Sequence, residues 1–293
     1  MKNAVLEIDE SPSAEAASRR VPGSLLGDRV TIPARPRRIV SLVSGLTEAI
    51  WAMGLESRVA AVSQYCARYV DIAGRPVAGR YLQIDEAVLA AVRPDLVLMT
   101  GGVQLGVARR LAAAGWPVYV LPLPESFFGI LENIRRLGAL LGEMDAALTL
   151  TAKLEREAER LRATAPAARP RVLAELWCGR HVRMVGGLTF IQDLITLAGG
   201  ENIWAAAPGG YLRLDRAGVE ARRPDTVVVF WEEDDHVVDV PALLAARGWP
   251  GRWPFRVIEA GIQRGRNLIH DGPSLLETAR WLRGRMAAET ISP

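Results

Sequence analysis

The sequence predicts an α/β protein: two Rossmann-like lobes with mainly parallel sheets, joined by one long α-helix. Three observations lead there. Short β-branched runs alternate with segments of helical apolar spacing, the pattern of parallel sheets covered on both faces by helices. The alternation occurs twice in one order. RPRRIVSL (residues 35–42) resembles RPRVLAEL (169–176), GLTEAIWAMG (45–54) resembles GLTFIQDLITLAG (187–199), and VRPDLVLMTGG (92–102) resembles RRPDTVVVFWEE (222–233). Pro94 and Pro224 are separated by 130 positions, too far for a solenoid repeat and right for two lobes of one plan. Finally, residues 143–164 contain neither Gly nor Pro. As a helix they would span about 33 Å, at about 1.5 Å per residue.

The elements follow in order. Residues 1–30, with acids, Ser and Ala but no long apolar run, read as a flexible tail. Residues 31–126 form the N-terminal lobe, with RIVSL, VAAVSQY, DLVLMT and PVYVLPL as buried strands and TEAIWAMG and VARRLAAAG as helices. Residues 127–165 form the connecting helix, capped by Ser126 and ended by Pro166 and Pro170. Residues 166–293 form the C-terminal lobe, with RVLAELW, TVVVFW and FRVIEA as strands in a sheet less completely specified. Arg-Pro-Asp is a helix-to-strand joint used once per lobe: proline disfavours helical dihedrals in the residue before it, and Asp95 or Asp225 suits the turn.

Composition excludes several classes. With 49% hydrophobic and 24% charged residues the chain is globular. The net charge of +3 is spread along the chain, so a nucleic-acid partner is not expected. Cys66 and Cys178 are too few for a disulfide framework and form no C-x-x-C zinc motif. No apolar run approaches the roughly 18 residues of a membrane span. As written the chain has no secretion signal, which predicts a cytoplasmic address, or a periplasmic one if the start is misassigned. A monomer is expected.

Ligands of doubly wound sheets sit beyond the carboxyl ends of the strands. That rule places Ser44, Tyr65, Cys66, Gly101, Gly102 and Glu125 on one wall of a cleft and Trp177, Cys178, His181, Trp231 and Glu232 on the other, with Tyr211 reaching in from the GGY loop. Trp177 and Trp231 follow strands directly, so their rings either face the gap or seal the lobe. Gly101 and Gly102 offer amide donors or ordinary turn chemistry. Cys66, Cys178 and His181 would ligate a soft or borderline metal, or the thiols are packing. Arg180, Arg183, Arg264 and Arg266 bring positive charge to the second lobe's rim, suited to an anionic ligand. His270, before Asp271-Gly272-Pro273, belongs to the start of the last helix. No nucleophile-base-acid set, P-loop or GxGxxG appears, so binding without catalysis is expected.

The segments PARPRRIVSLVSGLTEAIWAMGLESRVAAVS (33–63), VLAAVRPDLVLMTGG, TFIQDLITLAGGENI (189–203), GGYLRLD (209–215), RRPDTVVV and HDGPSLLE (270–277) carry a resemblance covering about residues 28–287. The chain resembles the helical-backbone periplasmic binding proteins that deliver cobalamin, haem and iron-siderophore complexes to ABC importers, and is most similar to the cobalamin-binding members. The resemblance implies a corrinoid, cobalamin or cobinamide, in the interlobe cleft, with His181 as an axial ligand to its cobalt. Haem or a ferric siderophore is the alternative, and a bilobal tetrapyrrole chelatase the enzymatic one. The acidic turn from Glu232 to Asp235, followed by His236, is a solvated loop or a contact for a corrinoid's amide fringe. Members that dock on an importer carry a glutamate on each lobe seven positions before the joint proline. Here those positions hold Ala87 and Ala217, which points to a relative that binds its ligand without a permease.

Overall fold

A computed structural model describes residues 18–288 apart from 23, 28 and 233–235. The chain starts with β1 (Ser18–Val21), paired antiparallel with β2 (Val30–Pro33). The described residues between 18 and 30 are therefore tied down where the sequence predicts a flexible tail, and residues 1–17 lie outside the described residues. Non-local bonds supply the difference: Arg19 donates to the carbonyls of Ala139 and Leu140, and Leu25 N–H donates to Val120 O.

The first lobe runs β3 (Ile39–Ser41), α1 (Ser44–Ala52), β4 (Val59–Val62), α2 (Glu86–Val92), β5 (Leu96–Thr100), α3 (Leu105–Ala113) and β6 (Val118–Leu121). Its sheet is wholly parallel in the order β4-β3-β5-β6, with the order reversing between β3 and β5. Each strand is the apolar run expected of a sheet covered on both faces.

Two helices follow. α4 (Phe127–Leu141) is capped by Ser126, whose hydroxyl accepts from Gly129 N–H at 3.0 Å. Gly142, at φ 69°, ends it and turns the chain into α5 (Met144–Ala163). The two pack as an antiparallel pair, since Arg135 bonds Glu155 at 2.6 Å and Arg162 lies over the Phe128 ring. The connecting helix expected over residues 127–165 is thus two helices broken at Gly142; the Gly- and Pro-free part is α5, which at 20 residues spans about 30 Å.

The second lobe contains β7 (Arg171–Leu176), β8 (Arg183–Val185), α6 (Phe190–Leu197), β9 (Glu201–Asn202), β10 (Tyr211–Arg213), α7 (Arg216–Arg222), β11 (Thr226–Phe230), α8 (Val240–Ala245), β12 (Arg256–Ala260) and α9 (Leu275–Ala287). Strands β9, β7, β11 and β12 are parallel, while β8 and β10 add an antiparallel edge. One core runs through both lobes beneath α4, α5, α6 and α9; the outer face of each sheet has its own smaller core.

The repeated Arg-Pro-Asp acts as a clip. Arg93 and Arg223 adopt left-handed φ of 47° and 44° and cap α2 and α7, a conformation that the following proline tolerates where it resists the right-handed helix. The Asp95 carboxylate then accepts from Arg37 and Arg38 N–H, both at 2.9 Å, and Asp225 accepts from Arg171 N–H at 2.7 Å. Each aspartate thus fixes the start of its lobe's first strand, at the end of the sheet away from the cleft.

Candidate functional site

The switch-point rule puts the ligand cleft at the loops after β3 and β5 of the first lobe and after β7 and β11 of the second. The second-lobe wall is built on the turn WCGRH. Trp177 has φ 53°, a conformation that costs a non-glycine residue about 1–3 kcal/mol and concentrates at functional sites. Its effect is visible in the packing. Val172, Ala174 and Leu176 face the shared core and Leu173 the outer one; at Trp177 the alternation breaks, leaving its indole on the same side as Leu176. There it stacks on His181, ring centres 5.4 Å apart, and meets Tyr211 at 5.5 Å. His236 holds the turn by donating from Nε2 to Cys178 O at 2.6 Å. Burial, with a smaller push from Asp271, moves the Tyr211 phenol up to about 12.

Trp231 is different. On β11 the alternation continues unbroken, so its indole packs with Val227 and Val229 on the outer core, across the sheet from Trp177. The expectation that both tryptophans face one gap is corrected: Trp177 alone joins the aromatic face. Glu232 is half-buried, 3.6 Å from Arg180. Glu233, Asp234 and Asp235 of the acidic turn lie outside the described residues.

Both cysteines depart from expectation as cleft ligands. Cys66 is fully buried behind the first-lobe wall against Thr47 and Ser63 (3.1 and 3.3 Å), and burial raises its thiol pKa. Cys178 is equally buried beside Glu175, its thiol pushed up to about 12 by burial and then by the Glu175 charge. Position at a strand end placed them near the cleft; small apolar side chains at such ends turn inward to pack. His181 stays exposed. Among the described residues no group of three or more His, Cys, Asp or Glu is placed to hold a metal ion.

On the first-lobe wall Tyr65 is half-buried with Arg68 over its ring, and Gly102 and Glu125 are exposed. Gly101 departs from expectation as a donor: it lies buried beneath Leu25, and its N–H is spent on Leu121 O. Ser44 points at the lobe junction, its hydroxyl 3.3 Å from His270 Nδ1.

That junction is a polar network that sequence reasoning missed. Glu48 on α1 accepts from His270 Nε2 at 2.8 Å and from Ser274 N–H and Oγ–H at 3.1 and 3.0 Å, with Arg264 3.4 Å away. Tyr69 stacks on His270 at 3.5 Å and accepts from Asn267 Nδ2 at 2.7 Å. Burial pushes the Glu48 carboxyl up. Hydrogen bonding and electrostatic attraction from His270, the Ser274 amide and Arg264 outweigh it, leaving Glu48 below the ordinary value. The available signal was GLTEA matched with HDGPS, two polar-bearing motifs on different lobes.

The model of the periplasmic binding protein family matches residues 39–249. The chain belongs to that family. A cobalamin-binding protein of Halobacterium salinarum is 29% identical over 223 residues, covering 74% of this chain and 60% of that protein. A vitamin B12-binding protein of Yersinia pestis is 26% identical over 256 residues, 83% of this chain and 91% of that one. Among solved structures, a periplasmic haem-binding protein of Vibrio cholerae superimposes with a TM-score of 0.71 at 22% identity, over 86% of this chain and 99% of that one. Members of the periplasmic binding protein family are binding proteins. Among the described residues no helix is long and apolar enough to cross a membrane. Beside Ala87 and Ala217 the nearest acids are engaged locally. Glu86 pairs with Arg110, and Asp215 caps α7 through Gly218 N–H at 2.9 Å.

Proposed function

We propose that the protein binds a corrinoid, cobalamin or cobinamide, in the cleft between its lobes without catalysing a reaction on it. The carrying observation is the Trp177–His181–Tyr211 face, held out by a strained backbone at a strand end. Such a face suits a broad, partly apolar macrocycle. The names of the Halobacterium and Yersinia relatives point the same way. His181, exposed and oriented by its stack on Trp177, is the candidate axial ligand. Titration with hydroxocobalamin, dicyanocobinamide, haemin and a ferric siderophore, followed by absorbance, tests the reading: saturable binding of a corrinoid is expected, and binding of haemin alone would overturn it.

One observation favours haem or an anionic siderophore as the second reading. Arg183 and Arg213 stand directly opposite each other on β8 and β10, with Arg183 also donating to the His181 and Val182 carbonyls; opposed like charges destabilise a strand pair, and a nearby anion would relieve them. Metal insertion into a free macrocycle during the same titration would favour a chelatase instead. The engagement of Glu86 and Asp215 supports a binding protein that works without permease docking at these two positions, and an address inside the cell is part of this proposal. Fractionation of cells expressing the native gene tests that location.

A further inference from the structure

Asp271 lies at the lobe junction, the floor of the cleft that strand order implies, and no side chain of the junction network hydrogen-bonds its carboxyl. It is half-buried, between His270 and the close turn at Gly272, and its own backbone N–H is the hydrogen-bond partner that favours its charged form. Its position is forced by close packing. A Cβ added at Gly45, in the first turn of α1, would lie 2.5 Å from Asp271 Oδ1 and 2.8 Å from its carbonyl oxygen. The carboxyl therefore lies against the start of α1, beyond the end of β3, in the plane where the two lobes meet. Its charge acts on Tyr81 of the first lobe and on Tyr211 of the second.

We propose that Asp271 is a specificity-determining contact that favours a macrocycle bearing neutral amides around its rim over one whose rim is apolar or carboxylate-bearing. The inference rests on the macrocycle-binding reading of this cleft. A ligand closing over the floor strips the remaining water from Asp271, and a polar group buried without a partner costs about 1–3 kcal/mol, more if charged. A corrinoid carries amide side chains on every edge, so each orientation returns a partner. An amide also suits either state of the acid, accepting from a protonated carboxyl or donating to an ionised one. That adaptability matters here because burial pushes the Asp271 carboxyl up, against the pull of His270. Haem has two ways to meet the floor, and both are unfavourable: its propionates repel an ionised carboxylate, and its methyl and vinyl edge leaves the group unpaired. His270 and Glu48 act electrostatically on Asp271, and Asp271 in turn on Tyr81, Tyr211 and Tyr69; among the bonds of the described residues none of these side chains donates to its carboxyl.

The test compares dicyanocobinamide with haemin on the full chain and on D271A and D271N, each checked for an unchanged thermal transition. D271A is expected to weaken dicyanocobinamide at least tenfold while leaving haemin unchanged or tighter, and D271N to recover most of the corrinoid loss. Equal weakening of both ligands, or no change in their ratio, would overturn the assignment and leave corrinoid binding standing. Failure of the unmodified chain to bind dicyanocobinamide would overturn the corrinoid reading itself, and this inference with it.

Discussion

Replacing Glu48 with Ala should loosen the joint between the lobes, and the magnitude can be worked from its contacts. The carboxylate is almost wholly buried and accepts three hydrogen bonds, from His270 Nε2 and from Ser274 N–H and Oγ–H. The serine hydroxyl can rotate to another acceptor, but the Ser274 amide and His270 Nε2 remain buried without partners, at about 1–3 kcal/mol each. Arg264 adds little, since it is 44% exposed and keeps its pair with Glu277, and exposed pairs are worth about 0–1 kcal/mol. The expected loss for E48A is about 3–5 kcal/mol, the range for truncating one partner of a buried polar pair. Guanidinium denaturation at pH 7 measures it, with the midpoint read at two wavelengths to test for separate lobe transitions. The pH dependence has a definite sign. A carboxyl depressed in the fold stabilises above its ordinary value of 4.5 and loses that contribution as pH falls through its folded value. The acid-induced loss should therefore be smaller in E48Q. A loss below about 1 kcal/mol in E48A, where the range above starts at about 3, would refute the argument that this network holds the lobes together.

Other consequences follow from the same geometry. Trp177→Ala should weaken corrinoid binding more than tenfold and Trp231→Ala less than threefold, measured by absorbance titration; equal effects would contradict the placement of the two indoles on opposite faces. Arg247 bonds both oxygens of fully buried Glu175 at 2.7 and 2.6 Å. Arg247→Met should therefore cost about 3–5 kcal/mol in chemical denaturation, and pairing it with Glu175→Leu should recover most of the loss. Neither Cys66 nor Cys178 should react with a thiol reagent at pH 8 until the protein unfolds, because both are buried with raised pKa values. Gly45→Ala should spread the lobes by forcing a Cβ against the Asp271 backbone, visible as an increased radius of gyration in solution scattering.

By itself the sequence determined the two-lobed plan, the parallel strands β3 to β7, β11 and β12, and the long helix α5. These are written in local periodicity: runs such as TVVVF and VYVL have one stable use, and Pro94, Pro224 and Ser126 punctuate them. It also named Trp177, His181 and Tyr211 together, and their rings meet on one face. Tertiary structure decided the rest. Strands β8, β9 and β10 are two or three residues long and exist only through their neighbours. The fate of Cys66, Cys178 and Trp231 turned on which side of the sheet the chain left by, a matter of single φ angles and alternation. The junction of Glu48, His270 and Asp271 joins residues more than 220 positions apart, and no window of sequence holds both halves of a hydrogen bond at that separation.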